Sequence, residues 1–268
     1  MVNQFRYPEK WRVLDLSYAS AHHNLALEEA LFYGDLSNDF NPTVRLWVNP
    51  AATVIGRFQD VKSEVDVEFC IRNGIQVVRR FTGGGAVYHD GGNLNFTIVM
   101  PKPENIALLE FHRINASIIQ DCVNRLGLES EFVSPNSIEV SSKKISGAAA
   151  CFNRKLALWH SSILVSTDTA ISTVALAPSR REAQTTYVRS RWKPMATLEA
   201  MLGKPAPLSC VKTHLLQSFQ KMSNAKLQHM STTSSEERLT LTLLANKYSR
   251  YEWNYLGTSN CRGEIGLK

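Results

Sequence analysis

The chain has 268 residues, of which 44% are hydrophobic and 20% charged, enough apolar material for one large folded domain. Lys and Arg outnumber Asp and Glu by 30 to 24, and this +6 excess, spread along the chain, fits an acidic ligand or acidic protein partner rather than nucleic acid. No apolar run approaches the ~18 residues of a membrane span and no signal-peptide core precedes residue 10, so we expect a cytoplasmic protein with no membrane partner.

Strand-like and helical patterns alternate through the first half of the chain. Residues 20–34 predict a helix that Ser20 caps and Gly34 ends. Two short apolar runs at 43–48 and 52–55 together predict a hairpin. Further strands are predicted at 11–16, 76–79, 86–88 and 93–100, the last two continuing one sheet, and further helices at 66–73 and 106–126.

The second half begins with three strand-like runs and becomes largely helical from residue 197. The runs at 138–140, 144–151 and 156–165 predict a meander, and a short helix is expected at 170–177. Long helices do not separate every pair of strands, which favours a mixed, mostly antiparallel sheet flanked by helices. We therefore expect an α+β fold, forming a single domain over residues 1–268.

The segment at 79–90 is the strongest sign of a binding site, because it reads Arg-Arg-Phe-Thr-Gly-Gly-Gly-Ala-Val-Tyr-His-Asp. Arginine presents a fixed fork of donors to phosphate or carboxylate, and successive glycines let backbone N–H groups approach an anion. Three glycines alone are typical of flexible turns, but the flanking arginines and following strand favour a nucleotide or phosphate site. Neither a P-loop nor a G-x-G-x-x-G fingerprint is present.

Two later segments carry a lysine and a histidine among small or apolar residues. Lys144 lies in Lys-Lys-Ile-Ser-Gly-Ala, where it could neutralise a phosphate or polarise a carbonyl. The alternative for Lys144 is a solvated lysine at a strand end. His160 lies in Leu-Trp-His-Ser-Ser-Ile-Leu, and this setting is more typical of a hydrogen-bonded core histidine than of a catalytic one.

These three segments, in this order, resemble the lipoate–protein ligase A family. Further similarity lies at 24–30, 46–50, 55–59 and 247–254, so the resemblance extends from about residue 11 to 254. It implies the fold shared by biotin–protein and lipoate–protein ligases and class II aminoacyl-tRNA synthetases. Gly91, where leucine is usual, and Ser161, where glycine is usual, depart from the family pattern.

The resemblance implies a two-step reaction with ATP, Mg²⁺ and lipoate. Lipoate and ATP give lipoyl-AMP, and a lysine of an acceptor domain then takes the lipoyl group. Lys144 matches the catalytic lysine, which contacts the acyl carbonyl and the α-phosphate. A family loop that closes over the adenylate matches residues 178–194, which carry Arg180, Arg181, Arg189, Arg191 and Lys193. Arg189 or Arg191 is the candidate for adenylate contact, and the alternative is a solvated basic loop. The implied adenylate site comprises Arg80, Gly85, Ala86, Val87, Tyr88 and Lys144, with Arg79, Gly83 and Gly84 as neighbours. The implied lipoate slot comprises Lys144 and Trp47, flanked by Val54 and Ile55, and the alternative for these apolar residues is plain core packing.

The resemblance also implies protein partners. The acceptor would be the lipoyl domain of a dehydrogenase E2 component or the glycine-cleavage H protein. Single-chain ligases continue into an accessory domain, whereas this sequence ends at Lys268, so we expect the bipartite archaeal arrangement with a separate accessory subunit. Magnesium would arrive bound to ATP, and we predict no metal ligands from protein side chains.

Three other functions compete with ligation. An octanoyltransferase of the same fold needs a cysteine nucleophile, but none occurs between 123 and 150, where Asn136 and Ser137 occupy the expected region. Cys151 is more typical of a small packed residue, and the five scattered cysteines indicate a reducing compartment. Biotin ligation would require a Gly-Arg-Gly-Arg loop, which is absent. A non-catalytic binding module would not need Arg80, the glycines and Lys144 together.

Overall fold

The computed structural model describes residues 5–33, 40–176 and 188–257. These residues form two β-sheets with helices packed against them. In chain order the elements are β1 Lys10–Asp15, α1 Ala21–Tyr33, β2 Thr43–Trp47, β3 Ala52–Ile55, α2 Val61–Glu64, α3 Val67–Arg72, β4 Gln76–Arg79, β5 Val87–His89, β6 Asn93–Pro101, α4 Leu108–Arg125, β7 Glu131–Val133, β8 Ser137–Val140, β9 Lys143–Phe152, β10 Leu156–Leu164, α5 Thr169–Ala175, α6 Leu198–Leu202, α7 Leu208–Ser223, β11 Lys226–His229, α8 Ser234–Leu243, a π-helical turn Leu244–Tyr248 and α9 Tyr251–Asn254.

The larger sheet has eight strands in the order β11-β1-β2-β6-β10-β9-β8-β7. Strand β1 runs parallel to both of its neighbours, and every other pair is antiparallel. The smaller sheet has the order β4-β3-β5, with β3 parallel to β4 and antiparallel to β5. The α+β prediction with a mostly antiparallel sheet is therefore confirmed.

Helices cover the two faces of the larger sheet differently. On one face α4 and α7 pack over a core that includes Phe96, Phe111, Trp159 and Phe219. On the other face α1 lies between the two sheets, and its apolar residues pack with those of β2, β3, β4 and the C-terminal helices. The glycine segment enters this second layer, so the candidate site lies where the two sheets approach each other.

Local capping explains where several helices begin. The Asp66 side chain accepts a hydrogen bond from Phe69 N–H at the start of α3, as the prediction at 66–73 requires. Thr233 and Glu236 form a reciprocal capping box at the start of α8. Within the described ranges, every helix is too short or too polar to cross a bilayer.

The predicted hairpin at 43–55 is wrong. Strand β2 pairs with β1 and β6 in the larger sheet, whereas β3 pairs with β4 and β5 in the smaller one. Both strands are fully buried on both faces, so the burial of their side chains does not indicate which sheet each strand joins. The prediction that 86–88 and 93–100 continue one sheet is wrong for the same reason, since β5 and β6 lie in different sheets.

The sequence patterns missed three short elements, namely α2, β7 and β11. Strand β11 reads Lys-Leu-Gln-His and is mostly exposed, so only its parallel pairing with β1 identifies it. The predicted ends at Gly34 and Pro178 lie outside the described residues.

Candidate active site

Two cavities meet at Lys144 between the sheets. The larger, here called the outer cleft, has a volume of about 980 Å³ and is lined by Lys62, Glu64, Asp66, Tyr88, Trp192 and Met195 among others. The smaller, here called the inner pocket, has a volume of about 370 Å³ and is lined by Leu25, Glu28, Trp47, Val54, His89, Asn95 and His160 among others. Both are lined by Ala86, Val87, Lys144, Gly147, Ser162, Ser190, Arg191 and Lys193.

Lys144 is held at this junction by its backbone. Its N–H donates to Pro194 O at 2.8 Å, and its C=O accepts from Ala196 N–H at 3.1 Å. The pairing of β8 with β9 shifts register beside Lys144, and such a bulge changes the direction of neighbouring side chains. A Cβ at Gly147 would lie 2.5 Å from Lys144 Nζ, so any larger residue at this position would displace the ammonium.

The ammonium of Lys144 is a cation without a carboxylate partner among the described residues. The carboxylate opposite it in the sheet, Glu139, pairs with Lys193 at 2.5 Å instead. Burial, with smaller contributions from Lys193 and Arg80, lowers the pKa of Lys144 to about 8. Lys144 is thus half-buried and is not the solvated strand-end lysine of the alternative interpretation. Its surroundings favour an anionic ligand.

Arg80 braces the glycine loop from inside. Its guanidinium donates to Gly83 O and Gly85 O, both at 2.7 Å, and to Val54 O at 3.1 Å. Gly84 has φ +91°, and a Cβ there would lie 3.0 Å from Arg80 Nη2. Burial lowers the pKa of Arg80 to about 10, so it stays charged at neutral pH. Arg80 lines the inner pocket. Its guanidinium, which the sequence predicted to bind a ligand, already donates to backbone carbonyls.

Arg79 points to the opposite side of its strand and lines neither cavity. Its guanidinium donates to Trp253 O at 2.9 Å, Gly56 O at 2.9 Å and Gln59 O at 2.7 Å. Trp253 Nε1–H donates back to Arg79 O at 2.8 Å. Arg79 therefore ties the C-terminal helix α9 to the strand that leads into the glycine loop.

A buried chain of hydrogen bonds forms the floor of the inner pocket. The imidazole of His160 bonds through Nδ1 to Glu28 Oε2 at 3.0 Å and through Nε2 to Thr82 Oγ1 at 2.9 Å. Thr97 Oγ1 donates to Glu28 Oε1 at 2.6 Å and accepts from Trp47 Nε1–H at 2.9 Å. The interpretation of His160 as a hydrogen-bonded core residue is confirmed, although it also lines the pocket.

Glu28 is the centre of this chain and was missed from the sequence. It is fully buried, and burial alone would raise its pKa, but the attraction and hydrogen bonds from His160 and Thr97 outweigh burial and lower the pKa of Glu28. A carboxylate in the apolar helical run Leu-Ala-Leu-Glu-Glu-Ala-Leu was the available signal, because such a group needs a partner when buried.

The remaining predicted residues divide between the two cavities. Gly84, Gly85 and Trp47 line the inner pocket, and Tyr88 lines the outer cleft. Gly83 faces the Phe58 ring and lines neither cavity. Ile55 is buried and also lines neither cavity. Of the loop arginines, Arg189 lines the inner pocket and Arg191 both cavities, while Arg180 and Arg181 lie outside the described residues.

Ser190 closes the rim between the two cavities and was not identified from the sequence. Its Oγ accepts hydrogen bonds from Ala86 N–H at 2.8 Å and from Gln59 Nε2 at 3.1 Å. Its own N–H donates to both Glu64 carboxylate oxygens at 3.2 Å. Segment 188–195 is thereby fastened to the glycine loop through a backbone donor that could otherwise face a ligand.

Few of the described residues around these cavities could bind a metal ion or act as a thiol nucleophile. Within the described ranges, no group of three or more His, Cys, Asp or Glu residues could hold a metal ion. Glu64 and Asp66 line the outer cleft, but they already accept from Ser190 N–H and Phe69 N–H. None of the described cysteines lines either cavity, and burial raises the pKa of the Cys151 thiol.

Sequence comparisons point to lipoylation enzymes. Two archaeal relatives are a lipoate-protein ligase A subunit 1 from Thermoplasma acidophilum, 29% identical over 86% of this chain and 90% of the relative, and a putative lipoate-protein ligase A from Aeropyrum pernix, 30% identical over 93% and 94%. An octanoyltransferase from Geobacillus kaustophilus is 27% identical over 92% of this chain and 98% of its own length.

Solved structures give the same grouping. A bipartite lipoate protein ligase with its E2 lipoyl domain from Thermoplasma acidophilum superposes with a TM-score of 0.82 at 27% identity, covering 92% of this chain and 97% of that one. A lipoate-protein ligase A bound with ATP superposes with a TM-score of 0.79 at 29% identity, covering 92% and 98%. The family described as the lipoyl protein ligase A/B catalytic domain matches residues 20–220. The glycine loop, the Lys144 strand and the His160 strand all lie within that match, and the chain belongs to this family.

Proposed function

We propose that the chain is the catalytic subunit of an ATP-dependent lipoate–protein ligase. It converts lipoate and ATP to lipoyl-AMP and pyrophosphate, and then passes the lipoyl group to the ε-amine of a lysine on an acceptor domain. The observation that carries the proposal is the position of the Lys144 ammonium, without a carboxylate partner among the described residues, at the junction of a narrow pocket and an open cleft.

The first step requires two anions to approach each other. The lipoate carboxylate attacks the α-phosphorus of ATP, so cations at the meeting point must offset the repulsion. Lys144 and Arg191 line both cavities and supply positive charge there, whereas Lys193 is paired with Glu139. We assign the acyl chain to the inner pocket beside Trp47 and the nucleotide to the outer cleft beside Ala86, Val87 and Tyr88. Mg²⁺ would be held mainly by the phosphates of ATP and by water, and it would offset phosphate charge beside Lys144.

The second step develops charge on two neighbouring groups. The acceptor amine attacks the acyl carbon, the carbonyl oxygen gains negative charge, and AMP leaves with its phosphate charge. One fixed cation between the oxygen and the phosphate stabilises both in the transition state. The position of Lys144 at the junction of the two cavities supports this role, and Gly147 leaves the space that its ammonium occupies.

The relatives support two kinds of protein partner. One solved relative is a bipartite ligase studied with its E2 lipoyl domain, and another relative is named subunit 1 of a ligase. We propose that this chain likewise acts in the cytoplasm with a separate accessory subunit. It would modify an acidic lipoyl domain or the glycine-cleavage H protein, to which its +6 charge is complementary.

The second candidate is carrier-to-carrier octanoyl transfer without ATP. The similarity to an octanoyltransferase over most of both chains favours it. Against it, Asn136 and Ser137 line the inner pocket where that chemistry needs a thiolate, and none of the described cysteines does. A Cys151→Ala variant that loses all activity would restore this candidate.

The test is pyrophosphate release from ATP and lipoate, with and without the accessory subunit, followed by mass spectrometry of an added lipoyl domain. We expect release and a lipoyl mass increase with the accessory subunit present and poor adenylation without it. Octanoyl transfer from an acyl carrier protein in the absence of ATP would support the second candidate instead. Binding of the acceptor with neither reaction would show a non-catalytic module.

A further inference from the structure

His89, the last residue of β5, lines the inner pocket with one ring nitrogen unpaired. Its side chain is buried, and Nε2 has no hydrogen-bond partner among the described residues. The ring lies edge-on to Trp47, with 6.2 Å between the two ring centroids. A buried polar atom without a partner is costly, so a ligand group that accepted a hydrogen bond from this nitrogen would remove that cost.

The hydrogen-bond pattern around His89 shows that Nε2 is a donor. Tyr18 N–H and the Arg45 guanidinium can only donate, so the Asn24 atom that receives both is its oxygen. Asn24 Nδ2 then donates to Asn49 Oδ1 at 2.9 Å, and this leaves Asn49 Nδ2 to donate to His89 Nδ1 at 3.0 Å. Burial, with a smaller contribution from Arg80, lowers the pKa of His89 to about 3, so the neutral ring carries its proton on Nε2.

His89 lies at the end of the inner pocket that is remote from Lys144. Four residues face one another across neighbouring strands of the larger sheet, in the order Gly147, Ser162, Asn95 and Trp47. Lys144 Nζ lies against the first of these and the His89 ring against the last. Three interstrand spacings of about 4.8 Å separate the two ends.

We propose that His89 Nε2–H is a specificity donor that bonds to a sulfur of the dithiolane ring of lipoate and selects lipoate over octanoate. This inference rests on the proposed function, in which Lys144 receives the carboxylate end of the acid. The distal end of lipoate carries two sulfurs, which are weak acceptors, whereas the distal end of octanoate carries only hydrocarbon. An octanoyl chain in the pocket leaves Nε2–H unpaired, and sites with buried donors discriminate against ligands that leave those donors unpaired.

The test uses the wild-type protein and three acids: lipoate, octanoate and 5-cyclopentylpentanoate, which keeps the five-membered ring and replaces both sulfurs by methylenes. Affinity is measured by titration calorimetry, and adenylation by ATP–pyrophosphate exchange. We expect lipoate to bind about tenfold more tightly than either sulfur-free acid. Equal affinity for lipoate and its carbocyclic analogue would overturn the proposal, while exchange with both acids would leave the ligase function intact. Exchange with none of them would contradict the ligase function itself.

Two variants locate the effect at His89. His89→Gln keeps an N–H donor, whereas His89→Leu removes the donor and places an apolar side chain at this position. We expect the lipoate preference to fall to about twofold or less in H89L and to be partly retained in H89Q. Circular dichroism checks the folding of each variant, and the three wild-type affinities decide the matter if H89L does not fold. A folded H89L with the wild-type preference would overturn the proposal.

Discussion

The inner pocket and the outer cleft share one lysine but are built in different ways. The pocket is formed by buried strands and α1, and its polar groups are joined in the chain from Trp47 through Glu28 to Thr82. The cleft is lined by shorter elements and by segment 188–195, in which Trp192 is 69% exposed. A rigid pocket can select an acyl chain by shape, whereas an open cleft suits a nucleotide that must enter and leave in each cycle.

Replacing the shared lysine should have the largest effect on activity. We expect Lys144→Ala to lower adenylation about 100-fold to 1000-fold, because the cation between acyl group and phosphate is lost. Stability should change little, since the ammonium has no carboxylate partner among the described residues to leave behind. Pyrophosphate release and thermal unfolding check both statements. Lys143→Ala, at the exposed neighbour in the same strand, is the matched control and should keep normal turnover.

Removing the central carboxylate of the pocket should destabilise the fold. Glu28→Ala leaves His160 and Thr97 without a buried acceptor, and we expect a loss of about 3 kcal/mol in the free energy of unfolding. Chemical denaturation measures this loss. The exposed Glu110→Ala on α4 is the control. An unchanged denaturation midpoint in the Glu28 variant would show that the network contributes nothing to the pocket.

The pH dependence of activity should report the charge at the junction. Below pH 8 Lys144 is protonated in the free enzyme, and above its pKa of about 8 it loses the charge that attracts anions. We expect kcat/KM for lipoate to fall about tenfold per pH unit above that value. Lys144→Arg, which stays charged, should be slower but lose this decline. A wild-type profile that stays flat up to pH 10 would contradict the assignment.

The smallest effect should come from the rim of the cleft. Ser190→Ala removes the acceptor for Ala86 N–H and should raise KM for ATP only a few-fold, equivalent to about 1 kcal/mol or less. Lipoate affinity should be unchanged, because the serine contacts the rim and not the buried floor. Steady-state kinetics with each substrate varied separately tests this, with the exposed Ser209→Ala as control. A large change in lipoate affinity would mean that the two cavities are not independent.

Most secondary-structure elements and the candidate lysine were predicted from the sequence, but the different roles of the two adjacent arginines were not. Arg79 and Arg80 are adjacent, and successive residues of a strand point to opposite sides, so one braces the glycine loop and the other ties down α9. Glu28 and Ser190 were missed because their hydrogen-bond partners are distant along the chain. The hairpin error at 43–55 has the same origin, since strand pairing is a tertiary property that short apolar runs do not encode.

A crystal structure with a non-hydrolysable lipoyl-adenylate analogue would test the role of Lys144 most directly. The lysine Nζ should lie about 3 Å from both the acyl carbonyl oxygen and an oxygen of the phosphate replacement, with the lipoyl chain beside Trp47. The proposed function would be contradicted if the analogue bound elsewhere, or if Nζ contacted neither group.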